Sequence, residues 1–407
     1  MKRGFLLVAA GILLAQVGSA QTIKTGVLVI GNGNSAVGAA IQSSVSGVKT
    51  VILMKEAGFE SPPFSNGQVS GLAADLLKRK QASPSSNIND VLKIWTDSLK
   101  NLTVIKNTPF TKLKRSGSGW SVQLSNGKSI KAQVLIHADR SGSVDAALQL
   151  QKVQQQWETL NYETNTYRTS IAAGTGSNGT GTTILSLYQL FLPDQENLIV
   201  LNTESQSITA GQAAGATAAY AVFFKAKTSK SNLKTIQGEL INYKLSVMPF
   251  TDVSSLDSNW KSIQFIGLSG FLKADLSSAD RGESVKSIKS TENNGQATAI
   301  FGPDKLVSAA EIAPTVKEYY YKAQIWFDDY KQSDMTIGAT LGLICFVGNK
   351  SLENTRNEVI KKWGTVYHFK TAFDEKRSIS RREFSVLVNE YLKPFNVNID
   401  NRGRVLR

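Results

Sequence analysis

Residues Val27–Ala40 read VLVIGNGNSAVGAA: four apolar residues, a turn carrying two glycines, then a run of small side chains. Read outward, GVLVIG is a short buried strand, SAVGAAIQSSVSG a helix of small residues ended by Gly47, and KTVILM a second buried strand. This is the order of a βαβ unit. In such a unit Gly31 makes the tight turn, and Gly33 lets the backbone approach a pyrophosphate lying on the helix N-terminus. Asn34 and Ser35 open that helix, and Ala36 stands where a small residue allows close helix-to-strand packing. A parallel sheet that holds no phosphate is the other reading of the same residues. The placement of the glycines between strand and helix favours the dinucleotide-type fold.

Upstream, residues 1–20 carry Lys2 and Arg3, the apolar run FLLVAAGILLAQV and then GSA before Gln21. That order is the one of a cleavable secretory signal, so the mature chain is expected to start near Gln21 and to be secreted or periplasmic. The run is too short for a comfortable membrane span, and no transmembrane segment is expected after it. A length of 407 residues allows two domains. Cys345 is the single cysteine, so an exported chain cannot form an internal disulfide and must be held by packing. With two histidines, His137 and His368, a His-rich zinc or iron centre is close to excluded, and no metal site is expected. The formal net charge is +14, yet the basic residues are scattered and form no dense run. A nucleic-acid partner is therefore not expected, and adhesion to an anionic envelope surface is the simpler reading.

Beyond the first βαβ unit come the strand-like LTVIKN, a meander through FTKLKRSGSGWSVQLSNGKSIKAQ, the buried strand VLIHADRSG, and NLIVLNTESQSITAGQAAGATAAYAV. In this order the chain resembles FAD-dependent oxidoreductases of the two-dinucleotide-fold type, in particular the bacterial secreted members labelled xanthan-lyase-like. The resemblance covers about residues 24 to 225. Its most specific part is GQAAGATAA, Gly211–Ala219, similar to the small-residue helix whose N-terminus faces the flavin in that family. It implies FAD as cofactor, with Gly211, Gln212, Ala213 and Gly215 near the flavin. Small side chains let that backbone approach, and the helix amide end suits the electron-rich pyrimidine edge. Ala and Gly at these spacings also serve close helix packing without a ligand.

Several positions depart from the family. The ribose-binding acid after the second strand would fall on Met54 or Lys55, with Glu56 one or two positions late. HADRSGS stands where the family has an ATGDGD-like turn, so Asp139 and Arg140 replace a Thr and a Gly. LNT, Leu201–Thr203, stands for an AGD-like ribityl contact. The long substrate domain of the family is reduced to a short segment. Within it AGTGSNGTGTT reads as a flexible loop, and Tyr162, Tyr167 and Arg168 are candidates to stack on or pair with a sugar acid.

After about Lys230 the composition changes to longer polar and aromatic helices, which sets expected domains at 21–230 and 245–407. Phe250–Ala274, with FTDV and a Trp-started helix, followed by FGPDKLVSAAEIA, resembles an S-layer homology unit. SISRREFSVLVNEYL, Ser378–Leu392, looks like the closing helix of a second unit, with Ser380 and Glu383 set as a capping box. The opening of that second unit is poorly defined around Ile325–Asn349. The resemblance implies cell-wall or glycan contact, although VSAAEI replaces the usual TRAE; a helical domain that only packs on the first is the other reading.

The expected fold is thus α/β, a Rossmann-like FAD-binding domain with a β-meander, followed by a mainly helical C-terminal domain. The expected function is hydride removal from a carbohydrate-like or other small alcohol or amine. No residue stands out as general base; His137 is the titratable candidate on a cofactor-side strand. The rival function, from another class, is an inactive relative kept as a binding or envelope-attachment scaffold.

Overall fold

A computed structural model describes residues 21–60, 69–151, 156–174, 182–201, 206–277 and 298–406. The expected signal, residues 1–20, lies outside them, as do the centre of AGTGSNGTGTT and most of LNT. Among the described residues no helix is long and apolar enough to cross a membrane.

The opening motif forms strand β1 (Thr22–Ile30), helix α1 (Asn34–Val45) and strand β2 (Thr50–Leu53), with Gly47 turning the chain at φ +87°. Helices α2 (Gly71–Ala82) and α3 (Ile88–Asp97) lead to β3 (Leu102–Ile105). The meander is β4 (Phe110–Ser116), β5 (Gly119–Leu124) and β6 (Ser129–His137), followed by the short α4 (Ser143–Leu148). Strands β7 (Trp157–Thr159), β8 (Ser170–Gly174) and β9 (Thr183–Ser186) form a small antiparallel sheet in the order β7-β9-β8. Strand β10 (Leu198–Val200) and helix α5 (Ile208–Phe223) complete the first half.

The main sheet runs β3-β2-β1-β6-β5-β4, with β10 also on β6. Strand β6 carries two neighbours on one side: Ser129–Ala132 pair antiparallel with β5, whereas Leu135–His137 pair parallel with β10. Its other side runs parallel to β1, Ile30 opposite His137. The parallel part is therefore β3-β2-β1-β6-β10, a Rossmann-like sheet with the meander inserted before β6. Strands β2 and β10 and the C-terminal ends of β1 and β6 are buried on both faces, and so they read as continuous apolar runs, whereas the edge strand β3 is only half-buried.

Helices α1 and α5 cross on one face of this sheet at a distance only glycine permits. A Cβ on Gly211 would overlap the Ser35 carbonyl oxygen and come within 2.9 Å of the Ala39 nitrogen. One on Gly215 would lie 2.5 Å from the Ala39 carbonyl oxygen, and one on Gly38 would overlap the Ile208 carbonyl. The Ser43 hydroxyl donates to Ala39 O (2.8 Å) and reaches Gly215 O (3.1 Å), tying the two backbones together.

The second half begins with α6 (Leu233–Asn242), then α7 (Trp260–Ser269), the hairpin β11 (Asp275–Ser277) and β12 (Thr298–Ile300), and α8 (Ala309–Tyr319). It continues with α9 (Lys322–Asp329), α10 (Ile337–Gly348), α11 (Leu352–Lys362) and α12 (Arg381–Tyr391). Along the sequence the helices fall in twos, α7–α8, α9–α10 and α11–α12, while in space α7 packs on α12, α8 on α9, and α10 on α9 and α11. Ser308, Thr336 and Ser380 cap the second helix of each pair, and the residue before each cap (Val307, Met335, Ile379) is buried at the centre. Their backbones close a ring: Val307 N–H donates to Ile379 O (3.0 Å), Ile379 N–H to Met335 O (2.9 Å), and Met335 N–H to Val307 O (2.9 Å).

The expected capping box at Ser380 is present, with Ser380 N–H donating to Glu383 Oε2 at 2.9 Å. The sequence suggested two units where the structure has three, and Ser378–Leu392 closes the third. The middle unit escaped notice because its cap, Thr336, is followed three residues on by Ala339 instead of an acid, and because α10 is apolar nearly all round.

Candidate cofactor site

The turn after β1 lies at the carboxyl end of the parallel strands, where open α/β sheets bind ligands. Gly31 has φ +138°, and a Cβ there would overlap the Ala138 carbonyl and sit 3.2 Å from Asp139 N. The tight turn thus requires glycine twice over, by dihedral angle and by proximity to the end of β6.

Gly33 is the N-cap of α1 in an extended conformation, and its own side of the helix end is occupied by Gln206, on the link from β10 to α5. The Ser35 N–H donates to Gln206 Oε1 (3.1 Å), and a Cβ on Gly33 would come within 2.5 Å of that oxygen. The Ser35 amide thus holds an acceptor oxygen at the helix N-terminus, where the macrodipole is positive. Ser207 caps α5, and its N–H donates to the Ser35 hydroxyl (2.9 Å), so the two helix N-termini adjoin one another.

The other residues of the expected cofactor set divide between packing and the cleft rim. Asn34, Ser35 and Ala36 are buried in the first turn of α1, and Ala213 is buried in α5. Gly211 and Gly215 make the α1–α5 crossing. Gln212 Oε1 accepts from Leu72 N–H (2.9 Å) and so caps α2, while its Nε2 donates to Gln42 Oε1 (2.9 Å). Glu56 is exposed and lines a narrow cleft with Gly31, Leu53, Lys55 and Asp139. The cleft holds about 40 Å3, room for about one water at the volume of the liquid.

Asp139 works as a cap. Its carboxylate accepts from Ser141 N–H (2.9 Å), the Ser141 hydroxyl (2.7 Å) and Val144 N–H (3.1 Å), holding the start of α4. Burial pushes its pKa up, but these hydrogen bonds outweigh burial and keep it below the ordinary carboxylate range. Arg140 pairs with the exposed Glu60 (2.5 Å).

His137 is not placed as a general base. Its Nδ1 accepts from Asp139 N–H (3.2 Å), which puts the ring proton on Nε2, donated to Asp145 Oδ1 (2.9 Å). Both nitrogens are used and the side chain is buried, so no lone pair faces a substrate. Arg168 and Tyr162 are likewise committed to structure. Arg168 makes a two-pronged ion pair with Glu318 (both 2.7 Å) and donates to Gly403 O (3.1 Å). Tyr167 is buried, and the Tyr162 hydroxyl accepts from Ala274 N–H (3.1 Å). Each partner lies more than 100 positions away in sequence, which is why sequence reading offered them to a ligand.

No family model matches the chain, and no curated protein matches it. Among solved structures it is similar to a geranylgeranyl bacteriochlorophyll reductase-like protein from Thermoplasma acidophilum, at 11% identity and TM-score 0.33. That match covers 60% of this chain and 88% of the other. It is similar to a p-nitrophenol 4-monooxygenase from Pseudomonas putida at 12% identity and TM-score 0.30, covering 55% and 84%. It is also similar to the anhydrotetracycline hydroxylase OxyS from Streptomyces rimosus at 16% identity and TM-score 0.26, covering 33% of this chain. The chain spans about a third of the length of that hydroxylase, 36%. The strand order and the glycine turn, seen in the chain's own structure, define it as an α/β protein of Rossmann-like fold with a helical C-terminal half.

Proposed function

We propose that the chain is an exported FAD-binding, oxidoreductase-like protein. The observation that carries this reading is the acceptor-oxygen seat at the start of α1: a glycine turn, a side-chain-free Gly33 and the Ser35 amide, already holding an oxygen. That oxygen belongs to a neutral amide, and on this reading a pyrophosphate oxygen would take its place. Bound FAD supplies a flavin that accepts a hydride, here from a carbohydrate-like or other small alcohol or amine. The chain's part is to seat the phosphates on α1 and to bring the N-terminus of α5 alongside. Export rests on the charged start, apolar run and GSA of residues 1–20, and N-terminal sequencing of protein from the producing cell should begin at or near Gln21.

The test is a titration with FAD followed by flavin fluorescence. Gly33 has an ordinary φ, and the atoms nearest an added Cβ belong to the flexible Gln206 side chain, so Gly33→Val should fold yet fill the space the phosphate needs. Saturable quenching is expected in the natural chain and in Gly174→Ala, whose added methyl meets nothing within 4 Å among the described residues, and its loss in Gly33→Val. Absence of saturable binding at high micromolar FAD would sink the flavoprotein reading and leave the scaffold reading standing.

For the C-terminal half we propose contact with a cell-wall or other glycan polymer. A cleft of about 360 Å3 lined by Asp257, Asn259, Asp304, His368, Lys370 and Arg382 supports this. Arg382 is held there by Asp257 at 2.5 Å and by Asp304 at 3.4 Å. Such a fixed, planar donor set suits polar recognition. Arg382→Ala should reduce co-sedimentation with purified envelope polysaccharide several-fold, and undiminished pelleting would count against the cleft.

A further inference from the structure

We propose that the end of the sheet opposite the glycine turn is a docking face for an anionic phospholipid bilayer, with Phe223 and Phe224 entering the acyl layer and a rim of lysines meeting the headgroups. No residue at the glycine turn takes part, so this face stands or falls apart from the FAD reading.

Helix α5 is buried along most of its length yet ends on two bare aromatic rings. Phe223 is 71% exposed and Phe224 56%; they pack edge to face at 5.1 Å, with Tyr220 against Phe224 at 4.6 Å. The three rings line a groove of about 790 Å3 between α1, α5 and α6, continued by Val45 and Tyr243. Adjoining exposed phenylalanines make a contiguous apolar patch, a feature that marks a partner surface where single exposed residues do not. Directly after them the chain carries Lys225, Lys227 and Lys230, all exposed. Lys225 holds the left-handed position that closes α5 (φ +52°), where glycine is the ordinary choice, and Ala226 N–H returns to Ala221 O (2.9 Å).

The beginnings of the parallel strands add charge at the same end. Lys24 and Lys131 stand opposite one another on β1 and β6, and Lys49 precedes β2; all three are exposed. They adjoin the end of α5, because a Cβ on Gly26 would lie 2.8 Å from Val222 and 2.6 Å from Val48, and Gln133 Nε2 donates to Ala221 O (3.3 Å). Among the described residues none of these six lysines is within ion-pair distance of a carboxylate. Two acids nearby are engaged: Glu196 accepts from Ser229 N–H (3.3 Å) and Glu239 from the Ser46 hydroxyl (2.5 Å). Apolar rings beside free cations match the two layers of an anionic bilayer, acyl chains within and phosphates at the surface. A second copy of this chain would bring the same lysines together, and a soluble polyanion would leave the rings in water. Docked in this way, the chain holds the carboxyl ends of its parallel strands, and the turn at Gly31, away from the lipid.

The experiment is vesicle flotation of the chain from Gln21 onward, which keeps every described residue and lacks the apolar run of residues 1–20. The vesicles are phosphatidylcholine alone or mixed equally with phosphatidylglycerol. Binding to the mixed vesicles should be at least about tenfold stronger. Phe223→Ser combined with Phe224→Ser should weaken it at least about tenfold. Lys225→Glu, Lys227→Glu and Lys230→Glu together should weaken it at least about a hundredfold. Each variant changes exposed side chains and should keep the natural circular dichroism. The fluorescence that Phe224→Trp adds should be quenched by mixed vesicles with brominated acyl chains. Equal or absent binding to the two vesicle types overturns the proposal, as does undiminished flotation of the serine variant. Binding that follows the lysines alone, without quenching, assigns the face to a soluble polyanion and overturns it too. A dimer in sedimentation that the serine variant dissolves assigns the patch to a second copy, with the same result. Should the serine variant fail to fold, the quenching arm decides, and its absence overturns the face.

Discussion

Gly211→Val is expected to prevent the chain from folding into a soluble protein. The new Cβ would meet the Ser35 carbonyl and the Ala39 nitrogen, both backbone atoms of α1, so no side chain can swing aside to relieve the clash. Relief requires parting α1 from α5, which opens the core that Ala36, Ala39, Ala40, Ala213 and Ala214 build between helices and sheet. Overpacking that only displaces side chains costs about 1–3 kcal/mol. Separating two buried helices belongs instead to the exceptional class above about 4–5 kcal/mol, which is a large share of a typical total of about 5–15 kcal/mol. Gly364→Ala is the control, since a methyl there meets nothing within 4 Å and the backbone is not left-handed. The check is soluble yield and circular dichroism of both variants; a folded Gly211→Val protein of ordinary Tm would show that the helices do not cross as described.

The second large effect lies at the ion pair joining β8's approach to α8, and it is asymmetric. Arg168 is 2% exposed while Glu318 is 34% exposed. Removing the carboxylate leaves a guanidinium buried with the Gly403 carbonyl as its remaining polar partner among the bonds described above, and such an orphaned charge costs about 3–5 kcal/mol. Removing the guanidinium leaves a carboxylate that water can reach, so the loss is nearer that of hydrogen bonds to a charged group, about 1.5–3 kcal/mol. Glu318→Ala should therefore destabilise more than Arg168→Met. Urea unfolding of the two variants at neutral pH measures the difference, and the opposite order would mean that the guanidinium is better hydrated than its burial indicates.

Much of the first half was legible in sequence because local patterns there coincide with the final contacts. The apolar runs of β1, β2, β6 and β10, the glycine turn at Gly31 and the small-residue helices announce a parallel sheet covered by closely packed helices, and the structure has them. What could not be read was the pairing that depends on distant residues. Nothing near β6 says that its first half will face β5 and its second half β10. Nothing near Gly33 points to Gln206, some 170 positions on. His137 looked available because Asp145 and the turn at Asp139 bind it only once α4 has folded back. In the second half the capping box at Ser380 was plain, since both of its partners lie within four residues. The ring at Val307, Met335 and Ile379 was not, since each hydrogen bond spans separate units.

That ring has a consequence for how the C-terminal half tolerates change in its length. Each of its three residues gives one hydrogen bond to a second unit and receives one from the third, so the circle closes at three and at no other number. A chain ending before Ser378 would strand the Val307 amide and the Met335 carbonyl at the buried centre, and a fourth unit would find neither donor nor acceptor left for it. Growth or loss by whole repeats, which open solenoids absorb at their ends, is closed to this architecture. Variation must enter through the loops and outer helix faces, with the central backbone kept as a fixed clasp.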